Sequence, residues 1–210
     1  NEGEDPFNGD FGVAYYPAND ASWSEVNWDY FGGTLVWRAA GSDPILASGT
    51  CGRNLTWKLD ETFTLTVSGT GAMYDYDYDG EEDPRPWAPW QYNIRSIVVE
   101  NGVTTIGNKA FENCENLETL SLPVGLVSIG DYAFSYLGSL KQITLPASVT
   151  NIDSGAFSTC EIQDVYAKEL ASWLAIDFSS SSANPMNNNY SNPAANLYFG
   201  NELVTDVVVP

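Results

Sequence analysis

Apolar residues between positions 94 and 160 recur three times in the same order. Blocks of the form apolar-x-x-apolar-x-apolar begin at Ile94, Leu117 and Leu140, so their starts lie 23 residues apart. The columns that follow each start are Val103, Leu126 and Val149; Ile106, Ile129 and Ile152; Ala110-Phe111, Ala133-Phe134 and Ala156-Phe157; and Cys114, Leu137 and Cys160. A fixed period of this length indicates a repeat architecture.

Each column has a structural interpretation. The last two apolar positions of each block are separated by one residue, so both side chains point inward from a short strand. Pro123 and Pro146 follow two of these strands and end the ladder, because proline has no N–H to donate. Gly107 and Gly130 permit a turn before the Ala-Phe pair, and the phenylalanine fills the space between successive coils. One coil cannot bury its own apolar face, so the pattern predicts a solenoid with parallel strands on one side.

The segment before the repeats predicts a β-hairpin. Two runs of alternating apolar residues, 55–59 and 63–67, flank Asp60-Glu61-Thr62. We expect this hairpin to shield the first coil as an N-terminal cap, with Trp87 and Trp90 against the first strand. Thr34–Trp37 is a further candidate strand.

The period breaks after the third repeat. Ile162 starts one residue early, and the spacing of Leu170, Trp173 and Leu174 predicts a helix over 167–176. Residues 179–196 are rich in Ser, Asn and Pro, and this composition predicts a long exposed loop. The last residues, 204–210, repeat the spacing of Leu140 to Pro146. They predict the first strand of a further repeat in a longer protein.

Residues 140–160, with the pattern L-x-x-I-x-L-P-x-x-V-x-x-I-x-x-x-A-F-x-x-C, resemble the BspA-like class of bacterial leucine-rich repeats. Residues 49–73 are similar to a stretch that often precedes such repeats, so the resemblance covers roughly 48–210. It implies a leucine-rich-repeat solenoid that is right-handed, with short parallel strands on the concave side and 23-residue repeats. It also implies a secreted or cell-surface protein that acts in adhesion.

The pattern and the resemblance together predict three parts of the chain. Residues 1–47 form an acidic, aromatic-rich segment that matches no known pattern, and 48–93 form the hairpin cap and an acidic loop. Residues 94–210 form the repeats: 94–116, 117–139, 140–161, an irregular 162–203 and a truncated 204–210.

Composition narrows the function. The formal charge of −20 repels phosphate backbones and anionic headgroups, which disfavours nucleic acid and membrane surfaces as partners. No apolar run is long enough to span a bilayer, so membrane insertion is not expected. The chain has no histidine, which excludes Ser-His-Asp and Cys-His catalysis. Catalysis by paired carboxylates remains an alternative in so acidic a chain, but we expect no enzymatic activity.

The three cysteines are too few for a disulfide framework. Cys114 and Cys160 lie two coils apart, about 10 Å by strand spacing, and are better interpreted as buried thiols.

One acidic motif is a candidate cation site. Calcium is bound by carboxylates alternating along a loop with a glycine turn, and Gly80 interrupts such a series here. The candidate ligands are Asp75, Asp77, Asp79, Glu81 and Asp83. Pro86 stands where the twelfth-position glutamate of an EF-hand would be. The alternative is a solvated acidic loop with no cation. Apart from calcium, no cofactor is expected.

The outward strand residues form the candidate binding face, since repeat proteins usually bind on their concave sheet. They are Ser96, Val98, Thr119, Ser121, Gln142, Thr144, Asp164 and Tyr166. We expect a host or bacterial surface protein as the partner. Two alternatives stay open. One is a glycan bound on aromatic residues of 1–47, such as Trp23 and Trp28, or on Tyr74, Tyr76 and Tyr78. The other is a structural spacer without a ligand.

Overall fold

The computed structural model describes residues 11–18, 34–78, 83–187 and 195–205. In these ranges the chain forms short strands with little helix. The N-terminal strands are β1 (Phe11–Tyr16), β2 (Thr34–Ala39), β3 (Ile45–Gly52), β4 (Leu55–Asp60), β5 (Thr64–Gly69) and β6 (Gly71–Ala72). The next are β7 (Ser96–Val99), β8 (Val103–Ile106), β9 (Thr119–Ser121), β10 (Ser128–Ile129), β11 (Gln142–Leu145) and β12 (Asn151–Ile152). The last are β13 (Asp164–Ala167), β14 (Asp177–Phe178), β15 (Asn196–Phe199) and β16 (Glu202–Leu203). Helix α1 spans Leu170–Leu174, and 3-10 turns lie at Ala88–Trp90 and Ser181–Ala183.

The strands alternate between two sides of a stack of coils. We name β5, β7, β9, β11, β13 and β15 the front strands, and β6, β8, β10, β12 and β14 the back strands. The back strands form one sheet, in which each strand pairs in parallel with the next coil. The front strands also pair in parallel, but their sheet is divided between β9 and β11. The predicted parallel strands are therefore present.

A single apolar interior runs through the coils. The rings of Phe111, Phe134 and Phe157 are buried and stacked, with centroids 5.4 and 5.6 Å apart. The prediction that these three side chains share one core is confirmed. Trp87 extends the stack by one ring, 5.5 Å from Phe111, and its Nε1 donates to the Ala110 carbonyl at 2.8 Å. The tryptophan thus takes the place of the phenylalanine in the coil that precedes the regular repeats.

The hairpin is present and is joined to the solenoid. Strands β4 and β5 pair antiparallel, and β5 then pairs in parallel with β7 from Thr64–Ser96 to Val67–Val99. Residues 64–90 therefore follow the plan of a coil, with a front strand, a back strand and the Trp87 ring. Strand β2 includes the expected Thr34–Trp37 and pairs in parallel with β1.

Three predictions for the region after Cys160 need correction. The helix covers only Leu170–Leu174 instead of 167–176, because Ala167 pairs with Leu145 and Asp177 with Asn151. The side chain of Leu174 is 58% exposed, so the three predicted apolar positions do not share a buried side. The stretch 179–196 is not simply an exposed loop. Its Ala183 is fully buried, and the Ser182 carbonyl accepts a hydrogen bond from the Phe157 N–H.

The irregular stretch 162–203 ends in two paired strands. The front strand after β13 is β15, which lies inside the stretch 162–203 that was predicted to be irregular. The chain then turns back: β16 pairs antiparallel with β15, and the Val204 N–H donates to Leu197. Residues 206–210 of the predicted truncated repeat lie outside the described residues.

The glycines of the repeat serve close approach rather than turn conformation. A Cβ on Gly107 would lie 1.9 Å from the Tyr74 carbonyl oxygen. The left-handed backbone positions belong to other residues in the coil. They are Lys109, Tyr132 and Gly155 in one column, and Asn113, Tyr136 and Thr159 in another.

Candidate functional site

The front strands present the eight predicted residues outward. In each strand these side chains are exposed or half-buried, whereas their inward neighbours Ile97, Ile143 and Val165 are buried. Strand pairing aligns them in rows within β7–β9 and within β11–β15, and the 23-residue period relates the rows on the two sides of the division. One row is Ser96, Thr119, Gln142, Asp164 and Asn196; the other is Val98, Ser121, Thr144, Tyr166 and Tyr198. The structure therefore brings all eight onto one face, and their role in binding stays a prediction.

Several side chains in these rows bind one another. The Thr119 hydroxyl donates to Ser96 Oγ at 2.9 Å, and the Asn196 amide donates to Asp164 Oδ1 at 2.9 Å. The rings of Tyr166 and Tyr198 stack at 4.8 Å between centroids and 17° between planes. Burial, and then the neighbouring Asp164 carboxylate, raises the pKa of Tyr198. This end of the face is therefore more preorganised than the end near Ser96.

A groove lies where the front sheet is divided. Across residues 83–187 no ladder joins β9 to β11, although β7 pairs with β9 and β11 pairs with β13. The groove has a volume of about 320 Å³ and is lined by Glu118, Thr119, Leu120, Gln142, Thr144 and Tyr166. A second concavity of about 600 Å³ shares Thr144 and Tyr166 and extends toward Lys168 and Asn201.

Sequence reasoning missed Tyr198 and Asn196. They pair with Tyr166 and Asp164 at an offset of 32 residues, as the Asn196–Asp164 hydrogen bond shows. The repeat has a period of 23, so it does not place them in register. The motif N-x-Y in 196–198, which matches D-x-Y in 164–166, is the signal that was available.

The acidic segment is held by the solenoid at both of its described ends. The Asn108 N–H donates to Asp75 Oδ1 at 2.9 Å, and its side-chain amide donates to Asp77 Oδ2 at 3.2 Å. Asp83 is bound by Arg85. Asp79 and Glu81 lie outside the described residues. Within the described residues no group of three or more candidate side chains is arranged to hold a metal ion. The calcium site stays a prediction.

Arg85 is a buried cation whose partners join the acidic segment to the first coils. Only 2% of the residue is exposed, and its Nε donates to both Asp83 oxygens at 2.9 and 3.0 Å. Its guanidinium also donates to Gln91 Oε1 at 2.7 Å and to the Glu112 carbonyl. Burial acts to raise the pKa of Asp83, but the hydrogen bonds and charge of Arg85 outweigh it and lower that pKa. The network therefore has a structural role.

The cysteines are free and buried. This confirms the interpretation that Cys114 and Cys160 are buried thiols. Burial raises the pKa of Cys51, Cys114 and Cys160 to about 12. Because the thiolate is the reactive form, these thiols are poor nucleophiles at neutral pH.

The structure shows which of the tyrosine rings named for glycan binding are accessible. Tyr76 is 5% exposed and packs edge-on against Trp87, so it cannot present a ring to a glycan. The Lys109 ammonium lies 4.5 Å from the ring centre of Tyr78, whereas Tyr74 is exposed. Trp23 and Trp28 lie outside the described residues. Of the three tyrosines in the glycan alternative, Tyr76 is therefore inaccessible, and a role for Tyr74 or Tyr78 stays a prediction.

Stacked coils with a parallel front and back sheet define a repeat protein of the solenoid class. Residues 90–181 match the family model described as BspA type leucine rich repeat region (6 copies). This match covers less than half of the chain and confirms that its repeat region resembles the BspA-type leucine-rich repeats. Members of this repeat class typically serve as protein-interaction modules rather than as enzymes.

Three crystal structures are similar to this chain. A leucine-rich repeat protein from Eubacterium ventriosum is 23% identical over 65% of this chain and 45% of its own, with a TM-score of 0.45. A leucine rich repeat protein of T. pallidum is 25% identical over 56% of this chain and 70% of its own, with a TM-score of 0.32. A leucine rich cell surface protein from Faecalibacterium prausnitzii is 18% identical over 61% of this chain and 46% of its own, with a TM-score of 0.30.

This chain thus covers less than half the length of the E. ventriosum protein. No curated protein sequence matches it significantly. In the ranges that the structure describes, no helix has the length and apolar character needed to cross a membrane.

Proposed function

We propose that this chain is an extracellular binding module of a bacterial cell-surface protein. It holds a protein partner, from a host or from another bacterium, on the outward side of its front strands, and so mediates adhesion. In this proposal the front strands form the concave side of a right-handed solenoid of 23-residue coils. The hairpin β4–β5 acts as its N-terminal cap, and the module catalyses no reaction.

The observation that carries the proposal is the outward face that the front strands present on both sides of the division between β9 and β11. Apart from Val98, the side chains on it from Ser96 to Thr144 are polar, and Thr119, Ser121 and Gln142 are exposed there. The back strands are shorter: β10 and β12 have two residues each. A wide face of hydroxyl and amide groups offers hydrogen bonds over an extended area, which suits recognition of a protein surface.

A binding assay with matched variants tests this proposal. Immobilised fibronectin, laminin and collagen serve as host probes, and intact bacterial cells of several species serve as bacterial ones. Ser121→Trp adds bulk to the exposed centre of the front face without touching the core. We expect it to weaken binding by about tenfold or more, since a misfit at an interface centre costs over 1.4 kcal/mol.

Thr104→Trp is the matched control, because Thr104 is exposed on back strand β8. It should leave binding unchanged. Equal losses in the two variants would place the interface elsewhere. Absence of binding to every probe would favour the spacer alternative and contradict the proposal.

A further inference from the structure

The groove between β9 and β11 has one aromatic wall. Tyr198 stacks on one face of the Tyr166 ring at 4.8 Å. On the opposite side, the register partner of Tyr166 is Thr144, whose side chain is small, and both residues line the groove. Tyr166 is thus packed against its neighbour on one ring face, while its side chain borders an accessible space. Such a ring is a rigid stacking surface with little conformational entropy to lose.

The floor and rim of the groove combine apolar and hydrogen-bonding groups. Leu120 lines the floor and is half-buried, although Ile97 and Ile143 in the same column are buried. Thr119, Gln142 and Thr144 line the rim with two hydroxyls and an amide. The facing edges of β9 and β11 belong to different sheets, so their backbone N–H and C=O groups do not pair with each other in a ladder. Donors and acceptors therefore alternate around one aromatic face.

Two glutamates at the groove are paired with cations, in a chain whose net charge is −20. Glu118 is the charged residue among the groove's lining residues, and it pairs with Arg95 at 2.6 Å. Beside the groove, Glu161 is bound to Lys141, whereas Asp164 accepts from the neutral Asn196 amide and keeps its charge. Paired glutamates add little attraction for a basic peptide, and an acidic ligand is repelled by the chain as a whole. The electrostatics favour a neutral ligand.

From these observations we infer that the groove is a binding subsite for a neutral glycan chain. The apolar C–H face of a sugar ring stacks on Tyr166, and its hydroxyl groups bind Gln142, Thr119 and Thr144. The volume of about 320 Å³ is at the small end of known ligand sites, about 300–1,000 Å³, and accommodates a single sugar unit. The second concavity adjoins the groove, since Thr144 and Tyr166 line both, and it gives room for further sugar units of a chain. This inference goes beyond the proposed protein partner.

Titration calorimetry with defined oligosaccharides tests the inference. The neutral probes are hexamers of cellulose, amylose, mannan and chitin; oligogalacturonate and hexalysine are the acidic and basic controls. We expect at least one neutral hexamer to bind, with an affinity that changes less than about twofold between 50 and 500 mM NaCl, because no net charge is engaged. Neither charged control should bind the groove.

Variants at the aromatic wall locate the site. Tyr166→Ala should weaken glycan binding by about tenfold or more, and Tyr166→Phe should retain it within about twofold because the ring face is kept. Thr144→Phe fills the space beside the Tyr166 ring without removing the tyrosine, and should weaken binding at least as much as Tyr166→Ala does. Tyr132→Ala, at a tyrosine that packs on Gly155, is the matched aromatic control and should have no effect. Thermal unfolding of each variant shows that it is folded.

Three results overturn the inference: no neutral hexamer binds, binding survives both Tyr166→Ala and Thr144→Phe, or hexalysine binds more tightly than every neutral hexamer. A Val98→Trp variant keeps this test separate from that of the proposed function. Val98 lies on the same outward face but one strand farther from the groove than Ser121, so glycan binding should persist in that variant when protein binding is lost.

Discussion

The regular coils, residues 94–160, are flanked by one coil before them and one after them. All of these coils share one arrangement of strands, but the flanking coils lack the sequence pattern of the regular ones. In the regular coils every core column is filled by an equivalent residue, such as Phe111, Phe134 and Phe157. In the preceding coil the ring is Trp87, and in the following coil Ala183 is buried next to Phe157's hydrogen-bond partner Ser182. A coil can therefore be completed by different side chains, provided that its strands pair with those of its neighbour.

The largest expected loss of stability concerns the core of the regular coils. Phe134 is fully buried between two other rings, so Phe134→Ala should cost about 3–5 kcal/mol through lost transfer energy and a cavity. Urea unfolding measures the change in the free energy of unfolding. Val124→Ala, at a side chain that is 79% exposed in the same coil, is the control and should change it by less than about 0.5 kcal/mol.

The same measurement on Trp87 can break the comparison. If Trp87 belongs to the ring stack, Trp87→Ala should cost about as much as Phe134→Ala. A cost near that of the Val124→Ala control would mean that the preceding coil is only loosely attached to the regular ones.

The second prediction concerns how the preceding coil is anchored. Arg85→Met removes the partner of Asp83, along with donors to Gln91 and Glu112, and should cost about 2–3 kcal/mol at pH 7. This cost is smaller than the cost of breaking a fully buried ion pair, because the Asp83 side chain is 23% exposed. Lys141→Met is the matched control. Its pair with Glu161 is exposed, so its loss should cost less than about 1 kcal/mol.

The pH dependence follows from the lowered pKa of Asp83. A carboxylate with a lower pKa in the folded state stabilises the fold above its unfolded pKa, about 3.9, and loses that contribution as the pH falls through its folded pKa. The difference between wild type and Arg85→Met should therefore shrink as the pH falls below about 4. Melting temperatures at pH 7 and pH 3 measure it. A difference that grows in acid would show that Asp83 is not the residue that Arg85 stabilises.

These contrasts explain which parts of the fold were predictable. The strands, the stacked phenylalanines and the outward face follow from columns that repeat every 23 residues, and neighbouring coils impose the same burial on each column. Trp87 was expected against the first strand, but its place in the ring stack was not. Strand β15 was missed because an insertion displaces it from that period: Tyr198 pairs with Tyr166 32 positions away. Backbone pairing to the neighbouring coil sets its place, and the short motif shared by 164–166 and 196–198 is a weaker signal than a repeated column. The groove depends on a divided sheet between β9 and β11, and the regular spacing of Leu117 and Leu140 does not reveal it.

The smallest expected change in stability tests whether packing between coils holds a residue in a backbone conformation that it does not favour. Tyr136 has φ of 60°, in the left-handed region that asparagine tolerates and tyrosine does not favour. Asn113 occupies the same column one coil earlier with the same φ of 60°. The Tyr136 side chain is 45% exposed, so replacing it sacrifices little buried surface. Tyr136→Asn should therefore raise the free energy of unfolding by about 0.5–1 kcal/mol, through relief of backbone strain.

Tyr74→Asn is the matched control for this change. Tyr74 is 50% exposed and, unlike Tyr136, is not among the described residues with positive φ, so the same substitution relieves no strain there. It should be neutral or slightly destabilising in urea unfolding. Stabilisation confined to Tyr136 would mean that stacking against neighbouring coils holds this backbone against the preference of its residue. Equal effects at both sites would instead mean that the tyrosine ring, and not the backbone conformation, decides the outcome.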